Sequence, residues 1–134
     1  MASLFTSSFS PRSLNKLSSC DPRLKELFME VVKVYDCTVL EGHRSKERQD
    51  ELCRTGFSRV QYPNSRHNLV PSFAVDVGPY PIDWNDRERF VAFGSFVRGV
   101  AHVKGIPLRW GGDWDQDFDL KDQTFMDLVH FEIR

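Results

Sequence analysis

The sequence predicts an α+β fold in which three helices flank a small, mostly antiparallel sheet. Helical and strand-like segments follow one another in the order α-β-α-β-α-β-β, which is not a regular βαβ alternation. The chain also lacks a glycine-rich phosphate loop, which disfavours a doubly wound parallel sheet. With 134 residues, 40% of them hydrophobic, the chain is long enough to bury one core, so residues 1–134 are expected to form a single domain.

The first helix is predicted over residues 22–35. Asp21 supplies an N-cap carboxylate, and Pro22 occupies the first helical position, where a backbone N–H has no partner to lose. Apolar residues then recur at helical spacing, namely Leu24, Leu27, Phe28, Val31 and Tyr35. The preceding residues 1–19 are serine-rich and are expected to be a loosely packed N-terminal segment, of which FSPRSLNKL is the part able to pack down.

A strand at residues 37–41 and a second helix at 45–56 come next. Ser45 is a suitable N-cap for this helix, and Gly56 is a suitable C-terminal stop. After a loop, the alternation in residues 73–77 predicts a strand.

A third helix is predicted to begin after a cap at Asp83 or Asn85 and to run to about Lys104. Its apolar residues keep helical spacing, and Gly105 would end it. The remaining strands are predicted at residues 107–112 and 128–133, with an acidic loop between them.

Composition excludes several classes of function. A net charge of −1 gives no global argument for nucleic-acid binding, and no apolar run is long enough for membrane insertion. The three cysteines are odd in number and widely spaced, which indicates reduced thiols. The N-terminus does not resemble a secretory signal, so synthesis in a cytoplasm is expected. The protein is also expected to be a monomer.

Four residues have the chemistry of a hydrolytic metal site. Catalytic zinc takes three protein ligands and keeps one position open, and His67, Asp76 and His130 could supply such a set. Asp127 is the candidate for moving a proton. In a continuous strand, residues 127 and 130 would face opposite ways, so Asp127 must lie in the turn that enters the strand. By residue type alone, all four could equally be structural or solvated side chains.

The motifs around these residues carry a resemblance to a known family. SRH…FAVDV together with DLVHFE resembles the zinc peptidases that cut D-amino-acid-containing peptides of peptidoglycan. That superfamily includes the D-alanyl-D-alanine carboxypeptidases and dipeptidases of vancomycin resistance and shares the fold of the hedgehog signalling domain. The strongest resemblance is to the L-alanyl-D-glutamate peptidases of tailed-phage endolysins, and it extends from about Phe9 to Ile133. Its segments are TVLEGHRSKERQDEL (38–52), HNLVPSFAVDVGPYPIDW (67–84) and LRWGGDWDQD (108–117).

The resemblance implies a role for each candidate. The zinc ligands would be His67, Asp76 and His130. Asp127 would be the general acid/base, and Arg44 would polarise the scissile carbonyl and stabilise the oxyanion. Ser65 matches a serine that contacts the substrate, and a loop-capping serine is the equal alternative.

The chain departs from the superfamily pattern between two of these ligands. Eight residues separate His67 from Asp76, where the superfamily has six, and the usual glycine is absent. Two extra residues near Pro71 and Ser72 must therefore bulge outward if both ligands are to meet at one ion.

The acidic loop GGDWDQDFDLKD is a candidate calcium site. Its carboxylates alternate at Asp113, Asp115, Asp117 and Asp119, like the first positions of a calcium-binding loop. Phe118 and Thr124 stand where an EF-hand needs glycine and glutamate, so only a looser regulatory calcium site fits. Some phage peptidases of this type respond to calcium here, and a solvated loop that shapes the cleft is the alternative.

Together these observations predict a zinc-dependent endolysin that hydrolyses the L-alanyl-D-glutamate bond of peptidoglycan stem peptides and causes host lysis. It would accumulate in the host cytoplasm until a holin opened the membrane. A D,D- or L,D-carboxypeptidase on the same scaffold is one alternative. A non-catalytic zinc-containing domain that binds the wall or a protein partner is the other.

Overall fold

A computed structural model describes residues 7–122 and 126–134. Within these residues, four α-helices and four strands follow one another along the chain. The helices are α1 (Pro11–Leu17), α2 (Pro22–Val34), α3 (Lys46–Arg54) and α4 (Arg87–Lys104). The strands are β1 (Cys37–Glu41), β2 (Ala74–Pro79), β3 (Leu108–Trp110) and β4 (His130–Ile133).

The four strands form one sheet in the order β1-β2-β4-β3, and every neighbouring pair is antiparallel. The predicted α+β class is therefore confirmed. Two cross-strand pairs place polar residues side by side: Asp76 lies opposite His130, and Arg109 lies opposite Glu132.

The hydrophobic core lies between this sheet and helices α2 and α4. Phe131 of β4 makes edge contacts with Phe28 of α2 and Phe93 of α4, at ring-centroid distances of 5.3 and 6.1 Å. Val75 and Val77 of β2 are fully buried in the same core. Side chains alternate along a strand. Asp76, next to Val75 and Val77, and His130, next to Phe131, therefore lie on the other face of the sheet.

Local capping explains where the predicted helices begin and end. The Asp21 carboxylate accepts a hydrogen bond from the N–H of Arg23 (2.8 Å), as expected for α2. Helix α4 is capped by Asp86 and not by Asp83 or Asn85, because only Asp86 directly precedes the first turn and accepts from the N–H of Arg89 (3.3 Å).

Helix α1 was not predicted by the sequence analysis, which expected a loosely packed segment over residues 1–19. Ser10 caps the helix, Pro11 begins it, and Phe9 and Leu17 are buried in the core. The hydroxyl of Ser13 accepts a hydrogen bond from the N–H of Val39 in β1 (3.0 Å). Residues 7–19 are therefore packed against the sheet, whereas residues 1–6 and Thr124 lie outside the described residues.

No helix in the described parts of the chain combines the length and the apolar character that crossing a membrane requires.

Candidate metal centre and cleft

Three predicted ligands meet on the polar face of the sheet. His67 lies in a 3-10 turn (Arg66–Asn68), Asp76 lies in β2, and His130 begins β4. His67 Nε2 lies 3.2 Å and His130 Nδ1 lies 3.3 Å from the same carboxylate oxygen of Asp76, Oδ1. Potential ligand atoms from all three residues fall within 4.8 Å of one another. The structure thus brings together the set that the sequence predicted.

The donor set fits zinc both in the types of ligand and in the hydrogen bonds that orient the histidine rings. Two imidazoles and one carboxylate are zinc's usual nitrogen and oxygen ligands. Each histidine also has its second ring nitrogen held, since His67 Nδ1 lies 2.8 Å from the Gly42 carbonyl oxygen and His130 Nε2 lies 2.8 Å from Glu132 Oε1. Such contacts fix the ring orientation and leave the other nitrogen to face a metal.

The turn that carries His67 is fixed by a reciprocal cap. The Ser65 hydroxyl accepts from the N–H of His67 (3.2 Å), and the Asn68 side-chain oxygen accepts from the N–H of Ser65 (3.0 Å). Ser65 also lines the cleft described below, so the structure shows its capping contact and leaves a substrate contact open.

The long connection from His67 to Asp76 bulges away from the centre. The N–H of Phe73 donates to the carbonyl of Arg66 (3.1 Å), which closes the loop at its base. Val70, at its tip, is 83% exposed. The part of the loop that protrudes into solvent therefore includes Leu69 and Val70, whereas Ser72, which was expected near the bulge, is fully buried. The ligands on either side still meet.

Charge stabilises the ionised form of the ligand carboxylate. Burial alone would raise the pKa of Asp76, but His67 and His130 beside it hold that pKa well below its usual value. Glu132 behaves similarly: burial opposes its ionisation, yet hydrogen bonds from His130 and Arg109 lower its pKa to about 2. The centre therefore presents charged carboxylates at neutral pH.

Arg44 lies beside the centre in a fixed position. Its Nε and one terminal nitrogen bind the two carboxylate oxygens of Glu41, each at 3.1 Å, and its other terminal nitrogen donates to Gln49 (3.0 Å). A guanidinium has five N–H groups. Among the described residues, Arg44 makes these three hydrogen bonds, so it retains N–H donors for a substrate oxygen. One of its terminal nitrogens also lies 3.7 Å from a carboxylate oxygen of Asp76.

Asp127 lies in the turn before β4, as predicted. Its carbonyl accepts from the N–H of His130 (3.1 Å), and its N–H donates to the carbonyl of Gly111 (2.9 Å). The indole N–H of Trp110, at the end of β3, donates to the carbonyl of Leu128 (2.9 Å) and so holds the same turn. Burial, and next the charge of Asp76, raise the pKa of Asp127, as suits a group that must hold a proton.

These residues line an open cleft of about 640 Å³. Its walls include the candidate residues Arg44, Ser65, His67, Asp127 and His130. The centre is therefore accessible to a ligand of peptide size.

The acidic loop brings together three of its four alternating carboxylates. Ligand atoms of Asp113, Asp115 and Asp117 lie within 4.8 Å of one another, and Asp119 is not part of this cluster within the described residues. Asp113 is fully buried: its Oδ2 accepts from the N–H of Phe118 (2.8 Å) and pairs with Arg98 (3.1 Å). Its Oδ1 has no hydrogen-bond partner among the described residues, which is unusual for a buried carboxylate.

Sequence reasoning did not assign three supporting residues: Glu41, Gln49 and Glu132. Glu132 had a usable signal, because it lies two positions after His130 on a strand and therefore shares its face. Gln49, which is fully buried and binds Arg44, had no such signal, since its role depends on how α3 packs.

An α+β domain with a candidate metal centre in an open cleft has the arrangement of a hydrolase, and comparison with known proteins shows its family. The family model of the phage L-alanyl-D-glutamate peptidases matches residues 5–134. The chain belongs to this family, which confirms the resemblance seen in the sequence.

Two individual proteins agree with that assignment. The chain is 30% identical over 120 residues to the L-alanyl-D-glutamate peptidase of Escherichia phage T5, covering 86% of this chain and 87% of that protein. It also resembles the crystal structure of the Serratia marcescens L-Ala D-Glu endopeptidase ChiX, with a TM-score of 0.75 and 28% identity over 95% of this chain and 90% of the other.

Proposed function

We propose that the protein is a zinc-dependent endolysin that hydrolyses the L-alanyl-D-glutamate bond of peptidoglycan stem peptides. The observation that carries this proposal is the convergence of His67, Asp76 and His130 beside Asp127 and Arg44 in one open cleft. A purely structural zinc site is usually closed by a fourth protein ligand and has no need of a neighbouring acid. The family supports the choice of bond, since the phage T5 and Serratia relatives are named for it.

The roles of the residues follow from their environments. His67, Asp76 and His130 would hold the zinc ion, which when bound supplies a Lewis acid and lowers the pKa of a water molecule to about 7. Asp127, whose pKa is raised, takes a proton from the attacking water and delivers it to the leaving amine. Arg44, held rigid by Glu41, donates to the oxyanion as it develops. Ser65 orients the substrate from the rim, in addition to capping the turn.

The test is digestion of purified cell walls followed by mass spectrometry of the released muropeptides. New amino groups on D-glutamate are expected, and they should disappear on chelation and return with zinc. Free D-alanine in the digest would instead indicate a D,D-carboxypeptidase on this scaffold. A zinc-loaded protein that releases nothing would leave the non-catalytic wall-binding alternative.

We further propose that Asp113, Asp115 and Asp117 bind a regulatory calcium ion. Calcium prefers oxygen ligands from carboxylates, and the unpartnered buried oxygen of Asp113 is suited to such a contact. Calcium should raise both the thermal stability and the activity of the wild type, with magnesium as the control. If calcium has no effect on either up to millimolar concentration, the loop is a structural element alone.

Lysis of the host is the biological role we propose for this single-domain, monomeric enzyme. Release across the host membrane through a holin would bring it to the cell wall. Expression in a bacterial host should therefore cause lysis only when a membrane-permeabilising protein is co-expressed, and lysis without that protein would contradict this route.

A further inference from the structure

Two arginines outside the catalytic set line the cleft next to the metal ligands. Arg66 immediately precedes His67 in the 3-10 turn, and Arg109 lies in β3 opposite Glu132. Both side chains are partly exposed, at 39% and 35%. They therefore reach the cleft from two separate elements, one beside each histidine-bearing segment.

These two guanidinium groups share a single carboxylate oxygen. Glu132 Oε2 lies 2.8 Å from a terminal nitrogen of Arg109 and 3.5 Å from Nε of Arg66. The other oxygen, Oε1, is engaged by His130 at 2.8 Å. One negative charge thus faces two permanent positive charges and an imidazole, so this corner of the cleft has an excess of positive charge. Arg109 is also held near the ring of Trp114 (5.9 Å), which limits its freedom to move away.

The proposed substrate carries a negative charge at the matching place. In a stem peptide the D-glutamate is linked onward through its γ-carboxyl group, so its α-carboxylate is free. That carboxylate is attached to the carbon that bears the scissile nitrogen, and it must lie close to the reaction centre when the bond is cut. Arginine is the residue best suited to such a group, because its planar N–H groups match a carboxylate in geometry and are always charged.

We infer that Arg66 and Arg109 form the subsite that binds the free α-carboxylate of the D-glutamate residue. The inference rests on the proposed function and adds a determinant of specificity to it. It explains why two cations lie beside the candidate ligands although one would suffice to pair with Glu132. It also predicts discrimination against walls in which that carboxylate is amidated to D-isoglutamine.

The experiment compares two synthetic muramyl peptides that differ only at this group. Both contain L-alanine, a γ-linked D-residue and an amidated third residue, so the α-carboxylate of D-glutamate is the only carboxylate in one peptide and is absent from the other. The measured quantity is the ratio of kcat/KM for the D-glutamate and D-isoglutamine peptides. Because both values come from one preparation, any loss of folded or zinc-loaded enzyme cancels from the ratio.

The wild type is expected to prefer the D-glutamate peptide by roughly ten- to a hundredfold, the usual effect of hydrogen bonds to a charged group. Arg66→Gln and Arg109→Gln should each bring that ratio towards one. Arg12→Gln, in α1, removes the same charge outside the cleft and should keep the wild-type ratio.

Three outcomes would overturn the inference or its basis. Equal cleavage of both peptides by the wild type would refute the subsite while leaving the proposed function intact. A wild-type ratio in both cleft variants would also refute it, and an equal loss of activity on both peptides would then show that the arginines only hold Glu132. If the wild type cleaves neither peptide, the proposed function itself fails.

Discussion

Gly111 is the position where a single methyl group should displace Asp127. A Cβ atom at residue 111 would lie 2.2 Å from the carbonyl oxygen of Asp127, which is backbone and has no rotamer to change. Real Cβ contacts are essentially never shorter than 3.0 Å, so the Asp127 turn must move by about 0.8 Å. A misplacement of about 1 Å in a reacting group can lower a rate on the order of 100-fold.

We therefore expect Gly111→Ala to lower kcat by a factor on the order of 100 while zinc content stays at the wild-type level. The assay is cleavage of a stem peptide followed by chromatography, with zinc measured by atomic absorption on the same sample. Gly99→Ala is the matched control, because nothing lies within 4 Å of its added methyl group on α4. It should keep full activity and gain roughly 0.5–1 kcal/mol in unfolding free energy. A zinc-loaded Gly111→Ala enzyme with wild-type kcat would refute the positioning argument.

Three other perturbations test the site and the fold. Asp127→Asn should retain zinc, as measured by atomic absorption, and lose turnover by several orders of magnitude; loss of the metal would make Asp127 a ligand. His67→Ala should lower both zinc content and Tm, because metal binding is linked to folding. Asp21 has its pKa lowered chiefly by its hydrogen bond from Arg23, so its stabilisation is present above the unfolded pKa of about 3.9 and is lost as pH falls through the folded value. The free energy of unfolding can be followed against pH in urea titrations. Asp21→Asn, which keeps a cap acceptor, should flatten its acid dependence, whereas Asp21→Ala should also lower it by about 1 kcal/mol at pH 7. An unchanged acid dependence in Asp21→Asn would contradict this assignment.

The sequence predicts those parts of the site that depend on short-range rules. The alternation of β2 and the strand β4 put Asp76 and His130 on one face, and the spacing argument correctly placed Asp127 in the entering turn. The partners of Arg44 were not predictable, because they depend on how α3 packs against the end of β1, where the β1–β2 register shifts. Helix α1 was missed because seven residues are too few to establish a helical period.

That unpredicted helix supports the candidate metal centre directly. Gly42, whose carbonyl faces His67 Nδ1, packs so closely against the end of α1 that a Cβ there would lie 2.3 Å from the carbonyl oxygen of Lys16. Ser19, just after α1, holds the far end of the loop that joins His67 to Asp76, since its carbonyl accepts a hydrogen bond from the N–H of Ser72 (2.9 Å).

The connection between α1 and α2 therefore fixes both the backbone that orients His67 and the backbone that returns towards Asp76. The tip of this loop, at Val70, can protrude into solvent because Ser72 is bound to Ser19 and His67 is held through Gly42. The geometry of the candidate metal centre thus depends on residues about fifty positions away in sequence, which short-range patterns do not reveal.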